Sequence, residues 1–200
     1  MSKLIVVANQ KGGVGKTTIS MNLAHCMKAY ASTGIIELDA QRSILRVADK
    51  MVGIPLLLYT PGVRDFGPDY VFIDTPPYLS DKLPHAFAIA DLILIPTKAG
   101  PFDVDSCQGT VELIAKAKAL NPGLKAAILL NMVNSSTKIT EFAYRALLDY
   151  GLPILKTRIG ERSDFVRSVA LADGIYSTDN KKAHRELNSL VTEVMVMLNN

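Results

Sequence analysis

The stretch that most limits what this chain can fold into is Asn9-Gln10-Lys11-Gly12-Gly13-Val14-Gly15-Lys16-Thr17-Thr18, set between a short apolar run and a helical pattern. Glycines let a backbone turn its N–H groups inward around an anion, and the N-terminus of the following helix adds partial positive charge. Such a loop needs a strand to lead into it and a helix to leave it, and the flanking residues supply both. In that geometry the main chain of Gly12, Gly13, Val14, Gly15 and Thr18 cradles phosphate oxygens. Lys16 reaches the β and γ phosphates, and the Thr17 hydroxyl coordinates Mg²⁺. ATP and Mg²⁺ are therefore the expected ligands.

The rest of the chain repeats the strand-then-helix rhythm. Apolar runs with no polar face recur at 4–8, 35–38, 55–59, 70–73, 92–95, 126–130 and around Ile154, as strands buried on both sides require. Helical patterns lie between most of them, at 16–30, 42–52, 104–120 and 138–150, and two more follow. One of these opens at Ser163-Asp164 as an N-cap and ends before Gly174, and the other runs over 183–198. The expected fold is a doubly wound α/β domain, a mostly parallel sheet with helices on both faces, formed by residues 1–200 as one unit. Ligands in such a sheet bind at the carboxyl ends of the strands.

Composition narrows the function classes. Hydrophobic residues make up 48% of the chain, yet Asp39, Asp74 and Asp91 interrupt the apolar stretches well short of the roughly 20 residues a membrane span needs. The start of the chain reads as a first strand with no cleavable leader, and cytoplasmic residence is expected. Cys26 and Cys107 sit in helical patterns, which predicts free, buried thiols. The formal net charge of +3 permits contact with a polyanion without requiring one.

Two acidic residues end apolar strands. Tyr70-Val71-Phe72-Ile73-Asp74 places a carboxylate where it can hold Mg²⁺, directly or through water. Glu37-Leu38-Asp39-Ala40-Gln41 places Asp39 on the same edge, either as a carboxylate able to hold water or as the cap of a helix starting near Arg42. Arg158, Arg162 and Arg167 bracket one predicted helix start and Lys181, Lys182 and Arg185 the next, where basic side chains can meet phosphates; Arg162 and Arg167 are the first candidates for DNA.

The loop departs from the generic pattern: Gln10 stands where the first glycine would fall, and Lys11 follows it. In this it resembles the deviant phosphate loop of the ParA/MinD group of ATPases, most closely the compact partition ATPases of the ParF type, which lack an N-terminal DNA-reading extension. The resemblance also covers both acidic strands, the strand at 92–96, Asn131 and the segment from Ile159 onward. It implies that Lys11 reaches across a dimer interface to the partner's phosphates, that Asp39 positions or activates the attacking water, and that Asn131 contacts adenine, a turn asparagine being the competing explanation for Asn131. Thr75-Pro76-Pro77 resembles the segment that senses the γ-phosphate. Gly100-Pro101-Phe102-Asp103 resembles a proline-containing segment near the nucleotide and the dimer interface. Ala40 and Glu37 depart from the family's usual Pro and Asp.

The implied activity is weak intrinsic ATP hydrolysis, stimulated by a ParB-like centromere-binding adaptor. The implied partners are a second copy in the ATP state and nonspecific DNA, so that the ATP form is nucleoid-associated and the cycle drives DNA segregation. A MinD-like membrane switch or a protein-cargo positioning ATPase is the alternative. The apolar stripe Leu187, Leu190, Val191, Val194, Met195 and Leu198 reads as packed against the sheet, so no stable membrane association is expected.

Overall fold

The computed structural model describes residues 1–134 and 137–200. Six strands form one sheet in the order β3-β2-β4-β1-β5-β6, every neighbouring pair parallel. They are β1 (Lys3–Val7), β2 (Thr33–Glu37), β3 (Leu56–Leu57), β4 (Tyr70–Asp74), β5 (Leu92–Thr97) and β6 (Lys125–Leu130). Ile154 adds only an isolated parallel bridge to Ile128. The helices are α1 (Lys16–Met27), α2 (Lys82–Ile89), α3 (Pro101–Asp105), α4 (Cys107–Leu120), α5 (Lys138–Leu148), α6 (Ser163–Ser168) and α7 (Lys181–Asn199), with 3₁₀ turns at Leu45–Lys50 and Gly174–Ser177.

Alternate residues of each strand supply two cores, because successive side chains point to opposite faces. Ile5 and Val7 of β1 join α1 and α7 on one face. Leu4 and Val6 join α2, α4 and α5 on the other. The apolar stripe of α7 packs into the first core, as its spacing predicts, with Met195 half-buried at its edge. Cys26 and Cys107 are free and buried.

Four local expectations are revised. The pattern at 42–52 forms only the 3₁₀ turn, although its apolar row of Ile44, Val47 and Met51 does pack into the core. The helix expected at 104–120 is two helices broken at Ser106, whose hydroxyl donates to the Asp103 carbonyl at 2.6 Å and competes with the backbone ladder. At α6 the N-cap is Arg162 and no side chain caps it; Asp164 instead accepts from Asn180 at 2.6 Å. The sequence reading missed α2, because Pro84 interrupts its pattern, yet proline is tolerated in a first helical turn.

Register sets the geometry of the edge where a ligand would bind. Val7 pairs with Asp74 and Asp74 with Glu37, so β1, β4 and β2 end together and their loops share one crevice.

Candidate nucleotide site

The phosphate loop leaves β1 and turns into α1 through two left-handed glycines, Gly13 at φ 70° and Gly15 at φ 89°. Gly15 is fixed twice over: a Cβ there would lie 2.4 Å from the Asn131 amide nitrogen. That amide donates to the Val14 carbonyl at 2.7 Å. Asn131, expected at the base, thus braces the back of the loop, with its nitrogen committed to main chain. Asn9 holds the front: it donates to the Pro96 carbonyl at 3.0 Å and accepts from the Lys11 N–H at 2.9 Å.

Lys16, Thr17 and Asp74 converge. The Thr17 hydroxyl donates to Asp74 Oδ2 at 2.7 Å, and the Ser20 hydroxyl, one helical turn on, donates to the Lys16 carbonyl at 3.0 Å and lies 3.4 Å from Oδ1. Asp74 is fully buried. Burial pushes its carboxyl up to about 7, against the Thr17 hydrogen bond and the Lys16 charge, which favour ionisation. Lys16 is also buried, which lowers its pKa despite the charges of Asp74 and Asp39. Its ammonium donates to the Lys11 carbonyl at 2.9 Å. A hydroxyl and a carboxylate oxygen 2.7 Å apart are hard donors of the kind Mg²⁺ accepts, and Mg²⁺ in phosphate sites takes few protein ligands. Thr17 and Asp74 would hold it; when bound, it neutralises charge on the phosphates.

Asp39 lies on the same edge, accepting the Gln41 N–H at 2.9 Å. The capping role goes to its neighbour: the Glu37 carboxylate accepts the Ile44 and Leu45 N–H groups at 2.8 and 3.1 Å. Glu37 is longer than the Asp that the family resemblance leads one to expect, and it spans to the 3₁₀ turn. Asp39 is left facing the crevice edge. Beyond β4, Thr75 donates to the Val7 carbonyl at 2.9 Å. Pro77 comes within 3.7 Å of where a Gly12 side chain would begin, so the Thr75-Pro76-Pro77 segment rests on the phosphate loop.

Beside the loop lies a cleft of about 240 Å³ shared by Thr18 and Asn131 and walled by Met132, Ile159, Phe165 and Val166. Its apolar walls suit a planar heterocycle. The sequence assigns none of these wall residues, nor Asn9 or Ser20, a role: Asn9 only opens the loop, and Ile159 and Phe165, within the late segment the resemblance covers, give only the signal of ordinary core positions.

Arg162 and Arg167 stand in different surroundings. Arg162 is committed to Glu186, one bond at 2.7 Å and another shorter, with 16% of its side chain exposed. It is a clamp between the loop before α6 and α7, withdrawn from the surface by its partner. Arg167 is 69% exposed and pairs with Asp164 on its own helix. A different basic surface lies nearby, a groove of about 680 Å³ between residues 156–158 and α7, lined by Lys156, Arg158, Lys182 and Arg185. Its two glutamates face inward: Glu193 accepts the Lys156 and Thr157 N–H groups at 2.8 and 2.7 Å, and Glu186 accepts that of Gly160 at 3.0 Å.

A family model described as the CobQ/CobB/MinD/ParA nucleotide binding domain matches residues 5–174. The chain belongs to this family. Its fold and phosphate loop are those of a ParA/MinD-type P-loop ATPase. Maintenance of carboxysome distribution protein A from Halothiobacillus neapolitanus is 29% identical over 206 residues, covering 96% of this chain and 95% of the relative. The chromosome-partitioning ATPase Soj of Thermus thermophilus is 26% identical over 180 residues, covering 68% and 72%. Among solved structures, apo McdA from Cyanothece superposes with a TM-score of 0.78 at 18% identity over 98% of this chain and 100% of that one. The MinD cell division protein of Aquifex aeolicus superposes with a TM-score of 0.74 at 18% identity, covering 97% of each chain. At that identity the structural likenesses speak for the fold. No helix among the described residues is long and apolar enough to cross a membrane.

Proposed function

We propose that this ATPase is a positioning switch: ATP assembles a homodimer that holds DNA without sequence preference, and an adaptor protein stimulates an otherwise weak hydrolysis that releases it. The observation that carries this reading is Lys11, a second lysine in a loop whose own phosphates are already served by Lys16. Two facing nucleotides gather more negative charge than one subunit neutralises, and a lysine donated by each copy offsets it. Asp39, at the crevice edge and free of the capping task taken by Glu37, positions the attacking water. Adenine occupies the apolar cleft beside Asn131.

DNA contact is assigned to the groove cations Lys156, Lys182 and Arg185 together with Arg167; Arg158 is held on Glu141 and the Tyr144 ring. Cations on both walls of a concave surface suit a phosphodiester backbone. A bilayer suits it poorly, since the apolar stripe of α7 is buried in the core and leaves little to insert into lipid. Plasmid or chromosome partition with a ParB-like adaptor is one cargo. Positioning of a protein assembly on the nucleoid is the second, favoured by a relative named for carboxysome distribution that matches nearly the whole chain.

The test is binding to random-sequence DNA with ATP, with ADP and without nucleotide, at low and high salt, with Lys16→Ala as control. Binding that needs ATP, weakens with salt and disappears in Lys16→Ala is expected. Absence of binding in every state would overturn the DNA-tethered reading while leaving the nucleotide site intact.

A further inference from the structure

We propose that Asp103 is a positioning residue for Lys11: it parks the lysine ammonium on its own subunit, and dimerisation requires the carboxylate to surrender it to the partner's phosphates. The inference rests on the two-subunit role of Lys11 proposed above and assigns a task to Gly100-Pro101-Phe102-Asp103.

Lys11 Nζ lies 2.8 Å from Asp103 Oδ1, with 34% of the lysine and 15% of the aspartate side chain exposed. The lysine therefore points along its own chain toward α3. Both ends of the pair are anchored. On the aspartate side, the Asp103 N–H donates to the Gly100 carbonyl at 2.9 Å. The Asp103 carbonyl accepts from the Thr97 and Ser106 hydroxyls at 3.0 and 2.6 Å. On the lysine side, Asn9 Oδ1 accepts the Lys11 N–H at 2.9 Å and lies 3.3 Å from the Ser106 hydroxyl. One small network thus fixes the distance between the loop and the start of α3. The carboxylate itself lies over Gly100: a Cβ there would come within 2.6 Å of Asp103 Oδ2.

The consequence follows from charge. The Lys11 segment is held at two points, its ammonium by Asp103 and its carbonyl by Lys16. Phosphates arriving in the same subunit draw Lys16 away from that carbonyl and release the second hold. The first persists, because Asp103 belongs to the same chain and competes with the partner's phosphates for one ammonium. Only a complete pair of nucleotide-loaded subunits outbids a single carboxylate. Asp103 therefore raises the concentration at which ATP-loaded monomers associate and suppresses pairing without nucleotide.

The test compares wild type, Asp103→Asn, Gly100→Ala and Lys11→Ala as full chains. Dimerisation is followed by sedimentation velocity with a nonhydrolysable ATP analogue and Mg²⁺. Acylation of Lys11 in the nucleotide-free protein is followed by mass spectrometry. Asp103→Asn keeps the shape and removes the charge; it is expected to tighten dimerisation about fivefold, the scale of two partly screened ion pairs, one surrendered by each copy, and to raise Lys11 labelling. Gly100→Ala, at a φ of −72° that alanine accepts, displaces the carboxylate without removing it and is expected to shift both readouts the same way by less. Unchanged or weaker dimerisation in both variants, or unchanged Lys11 labelling, overturns the assignment of Asp103. Failure of wild type to dimerise with the analogue, or a Lys11→Ala variant that dimerises like wild type, overturns the two-subunit reading beneath it.

Discussion

His25 makes the stability of this protein depend on acid in a way that can be worked out from its surroundings. The ring sits on α1, 3% exposed, with neither nitrogen in a hydrogen bond. It packs so closely on Gly174 that a Cβ there would meet the ring at 3.0 Å. Burial, helped by the Lys28 charge and opposed by Asp173, lowers its pKa to about 4. The folded protein therefore favours the neutral ring, whereas the unfolded chain takes up a proton near the ordinary value. Stability is fully present above about pH 6.5 and drains away as pH falls toward about 4. Linkage gives a loss of about 2 kcal/mol between about pH 7.5 and about pH 5, and screening of the neighbouring charges brings the expected figure to about 1.5 kcal/mol. Urea denaturation of wild type and His25→Leu at both pH values reads this directly. The variant's absolute stability is immaterial; its pH dependence is expected to be flatter by that amount. Equal slopes in the two proteins would refute the claim that this ring is buried neutral.

Gly15→Ala forces an alanine into a left-handed conformation and into the Asn131 amide, so about 2–4 kcal/mol of stability should be lost, with nucleotide affinity falling alongside, as paired denaturation and titration would show. Asp39→Ala should leave the fold within about 0.5 kcal/mol of wild type and give an ATP-loaded dimer with little turnover; wild-type phosphate release would exclude its water-positioning role. Arg162→Ala strips Glu186 of its guanidinium and should cost about 1–3 kcal/mol in denaturation, whereas Lys182→Glu should leave stability nearly unchanged and weaken DNA binding; the reverse pattern would place the DNA surface at Arg162.

The loop and both acidic strand ends were legible because each is a local signal: glycine where φ is positive, a hydroxyl next to the lysine, a carboxylate closing an apolar run. The sheet was legible for the same reason, since β1, β4 and β5 are apolar on both faces. What escaped depends on residues distant in sequence. Nothing near Arg162 announces Glu186, 24 positions away, so an arginine at a helix start looked like a surface charge. Nothing near Lys11 announces Asp103, which needs β1 and β5 side by side before the pair can form. Asn131 was seen as a polar residue ending a strand, but which of its neighbours receives the amide depends on where the phosphate loop passes. Glu37 drew notice for differing from aspartate, and only the fold reveals that the extra methylene lets it reach Ile44.

Asn22 lies one turn beyond the phosphate-binding end of α1. Its amide donates to the Thr18 carbonyl and to the Ser168 hydroxyl, both at 2.8 Å, and its oxygen accepts the Ile175 N–H at 2.8 Å. One side chain thus bolts α1 to α6 and to the turn that leads into α7. A helix of twelve residues is stiff over its length of about 18 Å. The helix that follows the glycine loop is thereby tied, through one amide side chain, to both segments that precede α7.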